Sequence, residues 1–256
     1  MPHSTLFQLD NRLALVTGSS GGIGLALARG LCQAGATVVL NGRNTEKLDA
    51  ACAALRSEHF NVHARSFDVS DQQAVHAAVD EIEANIGPLD ILINNAGMQR
   101  RAPLEDFTLA HWHELMRCNL DSVFIVGQAV ARKMITRKSG KIINICSVQS
   151  ELGRPAIAPY MASKGAVKML TKGMAIDWGP HGLQVNGLGP GYFKTELNDK
   201  LVADEKFSAW LTNRTPSRRW GEVDELVGAA VFLSSNASSF MNGHVLYVDG
   251  GVTATL

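Results

Sequence analysis

Residues 12–41 read Arg12-Leu-Ala-Leu-Val-Thr17-Gly18-Ser-Ser-Gly21-Gly22-Ile-Gly24-Leu-Ala-Leu-Ala-Arg-Gly-Leu-Cys32-Gln-Ala-Gly35-Ala-Thr37-Val-Val-Leu-Asn41. The apolar run over 12–17 predicts a short buried strand. A glycine-rich turn follows, then a helical pattern from Leu25 that stops at Gly35, then a second strand over Thr37–Asn41. Strand, glycine turn, helix and strand in this order form the dinucleotide-binding βαβ unit. The glycines let the backbone approach a pyrophosphate seated on the helix N-terminus. Gly18, Ser20, Gly22, Ile23 and Gly24 are therefore expected to contact a cofactor. The spacing is Gly-x-x-x-Gly-x-Gly, not the commoner Gly-x-Gly-x-x-Gly.

The end of the second strand bears on which dinucleotide is held. An acidic residue about 20 positions after the glycines would accept from the ribose 2′-OH of NAD. This chain has Leu40-Asn41-Gly42-Arg43-Asn44, with no carboxylate before Glu46. Arg43, with Asn44 beside it, can instead pair with a 2′-phosphate. The expected cofactor is NADP(H).

Outward from this unit the alternation continues. Helical patterns cover 45–58 and 71–86, and strand patterns cover 62–67 and 89–93. Asp68-Val69 closes one strand where a side chain can reach an adenine ring. Asn94-Asn95-Ala96-Gly97 follows another, at the end of a strand where open α/β sheets bind ligands. A long helix is expected over about 109–138, with Asn119 mid-helix and in need of a buried partner. Further strands are expected over Lys141–Cys146, 183–188 and 245–248, and a further helix over 223–235. Residues 193–220 are polar and aromatic with weak periodicity and read as a mobile lid. Alternating strands and helices imply one α/β domain over 1–256, built on a doubly wound parallel sheet of Rossmann type.

The 256 residues are enough to bury a sizeable core, and the formal net charge is +0. Neither nucleic acid nor an anionic membrane is expected as a partner. The N-terminus carries no basic segment before an apolar one, and no apolar run approaches ~20 residues. The expected compartment is the cytoplasm, with Cys32, Cys52, Cys118 and Cys146 reduced. The cysteines lack metal-ligand spacing and are read as small buried side chains. His111 and His113, two apart on a helix, do not share a face and suggest no metal site.

The catalytic chemistry is expected in Ser147–Lys164. Ser147 stands at a strand end, and Tyr160 and Lys164 stand four apart on a helix, facing the same way. A phenol has a reference pKa of about 10, and a neighbouring ammonium lowers it toward a useful range. A serine hydroxyl alongside can fix a substrate oxygen. The trio suits proton transfer at an alcohol or carbonyl oxygen while another group carries hydride.

These residues resemble the short-chain dehydrogenases/reductases. The likeness rests on Thr17-Gly-x-x-x-Gly-x-Gly24, Asp68, Asn94-Asn-Ala-Gly97, Asn119, Ser147, Tyr160-x-x-x-Lys164, and Pro190-Gly191 with Thr195. It covers essentially the whole chain. It implies Tyr160 as acid/base, Lys164 as the group that lowers the tyrosine pKa and holds the nicotinamide ribose, and Ser147 as the substrate-oxygen ligand. It implies a water held by Asn119 in a proton relay. Asn95, Ala96, Gly97, Pro190, Gly191, Phe193 and Thr195 are implied cofactor contacts. Members are commonly homotetramers packed through the long helices near 109–138 and 160–178.

Within the family the chain resembles members that act at carbon 5 of gluconate. The stretches carrying this are Gly97-Met-Gln-Arg-Arg101, Gln149-Ser-Glu-Leu-Gly-Arg154, Gly191-Tyr-Phe-Lys-Thr-Glu196, Ala209-Trp-Leu211 and Arg214-Thr-Pro216. The expected reaction interconverts D-gluconate and 5-keto-D-gluconate. Arg100, Arg101, Ser147, Gln149, Glu151, Arg154, Tyr160, Tyr192 and Trp210 are the candidate substrate contacts. Another sugar acid, a polyol or a 3-oxoacyl thioester is the alternative substrate. A sensor of NADP(H) without turnover would be expected to have lost part of the set Asn119, Ser147, Tyr160 and Lys164, and all four are present.

Overall fold

The computed structural model describes residues 5–255. Each apolar run becomes a strand: β1 (Leu13–Val16), β2 (Thr37–Gly42), β3 (Val62–Ser66), β4 (Leu89–Asn94), β5 (Gly140–Ile145), β6 (Leu183–Pro190) and β7 (Val245–Val248). They pair in parallel in the order β3-β2-β1-β4-β5-β6-β7. The order reverses between β1 and β4, which opens a crevice at the strands' C-terminal ends.

Both sheet faces are covered, which is why a central strand such as β1 is apolar on both sides, while the edge strand β3 carries His63 and Arg65. Leu13, Leu15, Leu92, Ile142 and Val185 point to one face. There they meet α3 (Gln72–Asn85), α5 (Ser122–Arg137) and α6 (Ala158–Trp178) through Val79, Val126, Val130 and Val167. Ala14, Val16, Val38, Leu40, Ile93 and Ile143 point to the other face. They meet α1 (Gly22–Gln33), α2 (Thr45–Ser57) and α9 (Val227–Ser234) through Leu27, Leu31, Leu48, Leu55 and Leu233. Fully burying one such side chain contributes roughly 1.5–3 kcal/mol.

Side-chain caps fix several helix starts. Asn44 Oδ1 accepts from Lys47 N at 2.9 Å, and Asp71 Oδ1 accepts from Gln73 N at 2.9 Å. Each cap contributes about 1 kcal/mol. The helix expected over 109–138 is divided. It consists of α4 (Leu109–Met116), a π-helical turn over Arg117–Asp121, and α5. Such a turn widens the helix and is frequent at functional sites; here it carries Asn119 inward. Residues 193–220, read as a mobile lid with weak periodicity, contain two short helices, α7 (Asp199–Val202) and α8 (Glu205–Arg214), of which α7 brings Leu201 to the crevice. The pattern over 223–235 divides into a 3-10 turn (Val223–Leu226) and α9.

Candidate active site

A cleft of about 1140 Å³ runs along the C-terminal ends of β1, β2, β4, β5 and β6. One end is built by the glycine turn. α1 begins without a side-chain cap and has no acidic residue in its first turn. Its N-terminal N–H groups and positive dipole end therefore remain available to an anion. Gly22 has φ +55°, and a Cβ there would meet nothing within 4 Å, so the space beside it suits a phosphate. Gly24 is required for packing instead, because its Cβ would lie 2.4 Å from Asn95 Nδ2.

Neighbouring strand ends hold the turn rigid. Thr17 Oγ1 accepts from Asn95 N at 3.0 Å and from Ala96 N at 3.1 Å. Asn95 Nδ2 donates back to the Thr17 and Gly18 carbonyls, both at 2.9 Å. Asn41, 1% exposed, accepts from Gly18 N at 3.3 Å and donates to the Arg65 and Phe67 carbonyls at 3.2 and 3.1 Å. The residue read as a missing acid is thus a strut, with its amide turned into the protein.

Beyond Asn41 the cleft wall carries a pair of opposite charges. Arg43 is largely exposed and lies 3.6 Å from Asp68. Burial opposes the charge on Asp68. The N–H and hydroxyl of Ser70, with Arg43, outweigh it and hold the carboxyl below its ordinary range. Ser20, Asn44 and Val69 line the same end, and Gly97, Pro190, Gly191 and Thr195 line the cleft farther along.

The catalytic candidates meet mid-cleft. Ser147 follows the last residues of β5, and Tyr160 and Lys164 occupy the first turns of α6. Lys164, 5% exposed, donates from Nζ to the Ile145 carbonyl at 2.7 Å and lies 5.9 Å from the Tyr160 ring centre. Asn119 is fully buried behind the cleft wall, where its Oδ1 accepts from Met98 N at 2.7 Å. Its Nδ2 donates to the Met98 carbonyl at 2.9 Å and to Ser163 Oγ at 3.2 Å. Gly97 lies close to both Asn119 and Lys164; a Cβ there would meet Asn119 Oδ1 at 3.4 Å and Lys164 Nζ at 3.9 Å.

Burial pushes the Tyr160 phenol above its ordinary value, and the hydrogen bond with Ser147 and the charge of Arg101 partly offset it. Burial likewise lowers the Lys164 pKa. In this state the low-dielectric surroundings favour the neutral form of each group.

The chain also matches the model of the short chain dehydrogenase family over residues 12–206. The protein belongs to the short-chain dehydrogenase family. This dehydrogenase is 64% identical over its full length to the full-length gluconate 5-dehydrogenase of Gluconobacter oxydans (strain 621H). It is 53% identical to the 5-keto-D-gluconate 5-reductase of Escherichia coli (strain K12), covering 96% of this chain and 97% of that protein. Among solved structures, a gluconate 5-dehydrogenase from Burkholderia cenocepacia J2315, in complex with NADP and tartrate, superposes with a TM-score of 0.96. It is 61% identical, with 98% of this chain and 99% of that chain covered.

At the far end of the dehydrogenase's cleft stand Arg101, Gln149, Arg154 and Tyr192. The charge of Arg101 acts on both Tyr160 and Tyr192, and burial with the like charge of Arg154 lowers its own pKa. The Nε of Arg154 is buried without a hydrogen-bond partner. Among the described residues neither arginine has a carboxylate partner. Gln149 Nε2 donates to Tyr192 Oη at 3.0 Å, and its Oε1 accepts from Ser147 Oγ at 2.9 Å.

Four expected contacts stand outside the cleft lining. Arg100 is committed to Glu114, its Nη2 lying 3.0 and 2.8 Å from the two carboxylate oxygens. Glu151 accepts from Lys168 and from the Tyr247 hydroxyl, and so ties its loop to α6 and β7. Trp210 lies on the outer side of α8 against Phe207, at 5.3 Å between ring centres. Phe193 is buried with its ring against Gly221, where a Cβ would come within 2.5 Å of it. Arg214 bonds the Thr255 carbonyl at 3.0 Å.

Several lining residues escaped the sequence reading: His113, Glu114 and Arg117 on the α4 side, and Leu201 of α7. The polar side of α4 reads as an ordinary solvated helix face, so no local signal marks it. Cys118 and Cys146 also line the cleft, and burial raises both thiols, Cys146 to about 11. Neither is a thiolate at neutral pH, in keeping with a packing role.

Proposed function

We propose that the protein is an NADP-dependent oxidoreductase that interconverts D-gluconate and 5-keto-D-gluconate. The observation that carries this reading is that Arg101 and Arg154, two cations without carboxylate partners, line the same cleft as Tyr160, with the charge of Arg101 acting on it. An open-chain sugar acid has a carboxylate at one end and hydroxyls along its length. An arginine fork takes a carboxylate bidentately. Anchoring that end determines which carbon faces Tyr160. Gln149 and Tyr192 offer polar groups to the hydroxyls in between. The full-length likeness to gluconate 5-dehydrogenase and 5-keto-D-gluconate 5-reductase supports the same substrate.

The glycine turn would hold the pyrophosphate of the cofactor, and Arg43 with Ser20 its 2′-phosphate. The bound nicotinamide supplies or accepts the hydride. In the reductive direction Tyr160 gives its proton to the carbonyl oxygen, and Ser147 orients that oxygen. Lys164, fixed on Ile145, steadies the ribose and the phenol. Asn119, behind Gly97, holds the position from which a water reaches Lys164. The α7–α8 segment closes over the substrate end.

The reading extends to assembly. Phe124 of α5, and Met169 and Ile176 of α6, are 48%, 60% and 73% exposed. Apolar side chains this exposed on the two long helices fit packing between subunits of a homotetramer. No described helix is long and apolar enough to cross a membrane, and we place the enzyme in the cytoplasm.

The test of function is NADPH oxidation with 5-keto-D-gluconate, 2-keto-D-gluconate, fructose and an acyl-thioester ketone. The expected order places 5-keto-D-gluconate first in kcat/KM, because fructose has no carboxylate to anchor, the anchored 2-keto acid presents the wrong carbon, and a site built for hydroxyls rejects the thioester that lacks them. Highest kcat/KM on fructose would mean that no carboxylate is read, and highest on the thioester would move the enzyme to a different substrate class.

A further inference from the structure

Behind Arg154 and Tyr192 lies a side chain that does not itself line the cleft. Phe207 stands in the first turn of α8, where its backbone N–H donates to Asp204 Oδ1 at 3.0 Å. The Arg154 guanidinium carbon lies 4.9 Å above the Phe207 ring centre. The Tyr192 ring is 5.8 Å away and the Trp220 ring 6.1 Å away. Trp220, 6% exposed, donates from Nε1 to Ser208 Oγ at 3.1 Å, which pins the same turn of α8. One ring therefore backs two cleft-lining groups that come from different loops, the one after β5 and the one after β6. Tyr192 is joined in turn to Ser147 through the amide of Gln149.

We propose that Phe207 is a positioning residue that sets specificity for carboxylated substrates, holding Arg154 over its π face and packing as a tilted ring against Tyr192. The inference rests on the gluconate reading. Arg154 has no carboxylate to fix its guanidinium, and its Nε has no hydrogen-bond partner. A cation above an aromatic face is attracted by the ring quadrupole, so the ring supplies the orientation that an ion pair would otherwise give. α8 thereby couples the segment over the cleft to the carboxylate end of the substrate.

The experiment compares Phe207→Leu, which keeps apolar bulk without a π face, with Phe207→Tyr, which restores the face. In Phe207→Leu the KM for 5-keto-D-gluconate is expected to rise roughly tenfold. Its kcat at saturation and its KM for NADPH are expected to change little, and its preference over fructose to shrink. Phe207→Tyr is expected to recover the wild-type KM. Adding Phe207→Leu to Arg154→Gln should cost much less than it costs alone, because the two act through one contact. An unchanged KM in Phe207→Leu, or an equal loss for NADPH and both substrates, would overturn the proposal. Calorimetry of D-gluconate binding to the NADP-loaded protein separates this from the function itself. A wild type that binds gluconate but turns over another ketone overturns only the function, and Phe207 is then judged by gluconate affinity across the same variants. A wild type that binds no gluconate overturns both.

Discussion

The ammonium of Lys164 donates to the carbonyl of Ile145 at 2.7 Å, across from β5 to the second turn of α6. This bond fixes the helix that carries Tyr160 to the strand that delivers Ser147, so the three side chains share one frame. It also uses one of the three ammonium donors and leaves two for the cleft. Lys164→Met should lower kcat and move the alkaline optimum of the oxidative reaction upward. Burial already raises the Tyr160 pKa, and the nearby cation that would favour phenolate during turnover would be gone. A pH profile of kcat with the optimum unmoved would show that the lysine acts only structurally.

Tyr160→Phe should abolish most of the activity, by ~10²–10⁴-fold, while leaving NADPH binding near wild type. The ring, its burial and the helix survive, and only the hydroxyl is lost. Single-turnover rates beside an NADPH fluorescence titration check both halves. A variant that keeps most of its kcat would remove Tyr160 from the acid/base role.

Gly42→Asp with Arg43→Leu should shift preference from NADP toward NAD. A carboxylate repels a 2′-phosphate and accepts from a 2′-OH. The position is tight: a Cβ on Gly42 would lie 3.2 Å from the Ser20 hydroxyl and 3.4 Å from its Cβ, so the hydroxyl has to turn aside to admit the aspartate. The measurement is the ratio of kcat/KM for the two cofactors in the wild type and the double variant. A wild type that already prefers NAD would refute this reading of the loop.

Lys141 on β5 gives a stability test away from the cleft. Burial, aided by the Arg12 charge, lowers its pKa from 10.5 to about 8. Between these values the unfolded chain binds the proton that the folded chain has released, so this group makes stability rise as pH climbs from about 8 toward about 10.5. Below about 8 it carries the full cost of a poorly solvated charge. Lys141→Met should therefore raise Tm at pH 7, by an amount equivalent to roughly 1–2 kcal/mol after discounting for partial solvation. The gain should fade near pH 10. Thermal denaturation at both pH values decides it.

The sheet and its glycine turn were legible because continuous apolar runs and glycine spacing are local properties. The grouping of Ser147, Tyr160 and Lys164 in one cleft was legible because strand-end and i, i+4 positions carry geometry with them. α7 and α8 were not, since Phe207, Tyr192 and Trp220 supply that segment's core from three separate places in the chain. No helical stripe records such a cluster. Arg100 and Arg101 are adjacent in an irregular loop, and composition cannot say which one turns to the cleft and which to Glu114. Asn41 reads as an absent acid, and only the positions of Gly18, Arg65 and Phe67 reveal it as a strut.

That division between adjacent arginines gives the sharpest test of the substrate end. Arg100 is held by two carboxylate contacts on an exposed surface, a pairing that contributes at most about 1 kcal/mol. Arg101 faces the cleft, with its charge acting on Tyr160 and Tyr192. Arg154 approaches from the neighbouring loop, which is joined to that of Arg101 by Ala102 N donating to the Ala156 carbonyl at 3.2 Å, and its Nε is unpartnered. Arg100→Ala should leave KM for 5-keto-D-gluconate near wild type. Arg101→Ala and Arg154→Ala should each raise it by roughly 10- to 100-fold, since a charge-assisted hydrogen bond contributes about 1.5–3 kcal/mol. The rise should be much smaller for fructose, which offers no carboxylate. Lysine at either position should restore only part of the loss, because a point charge lacks the planar fork. Initial rates for the three alanine variants on both ketones suffice. If Arg100→Ala weakens the sugar acid as much as Arg101→Ala does, the carboxylate is read on the Glu114 side and the assignment of the substrate end is reversed.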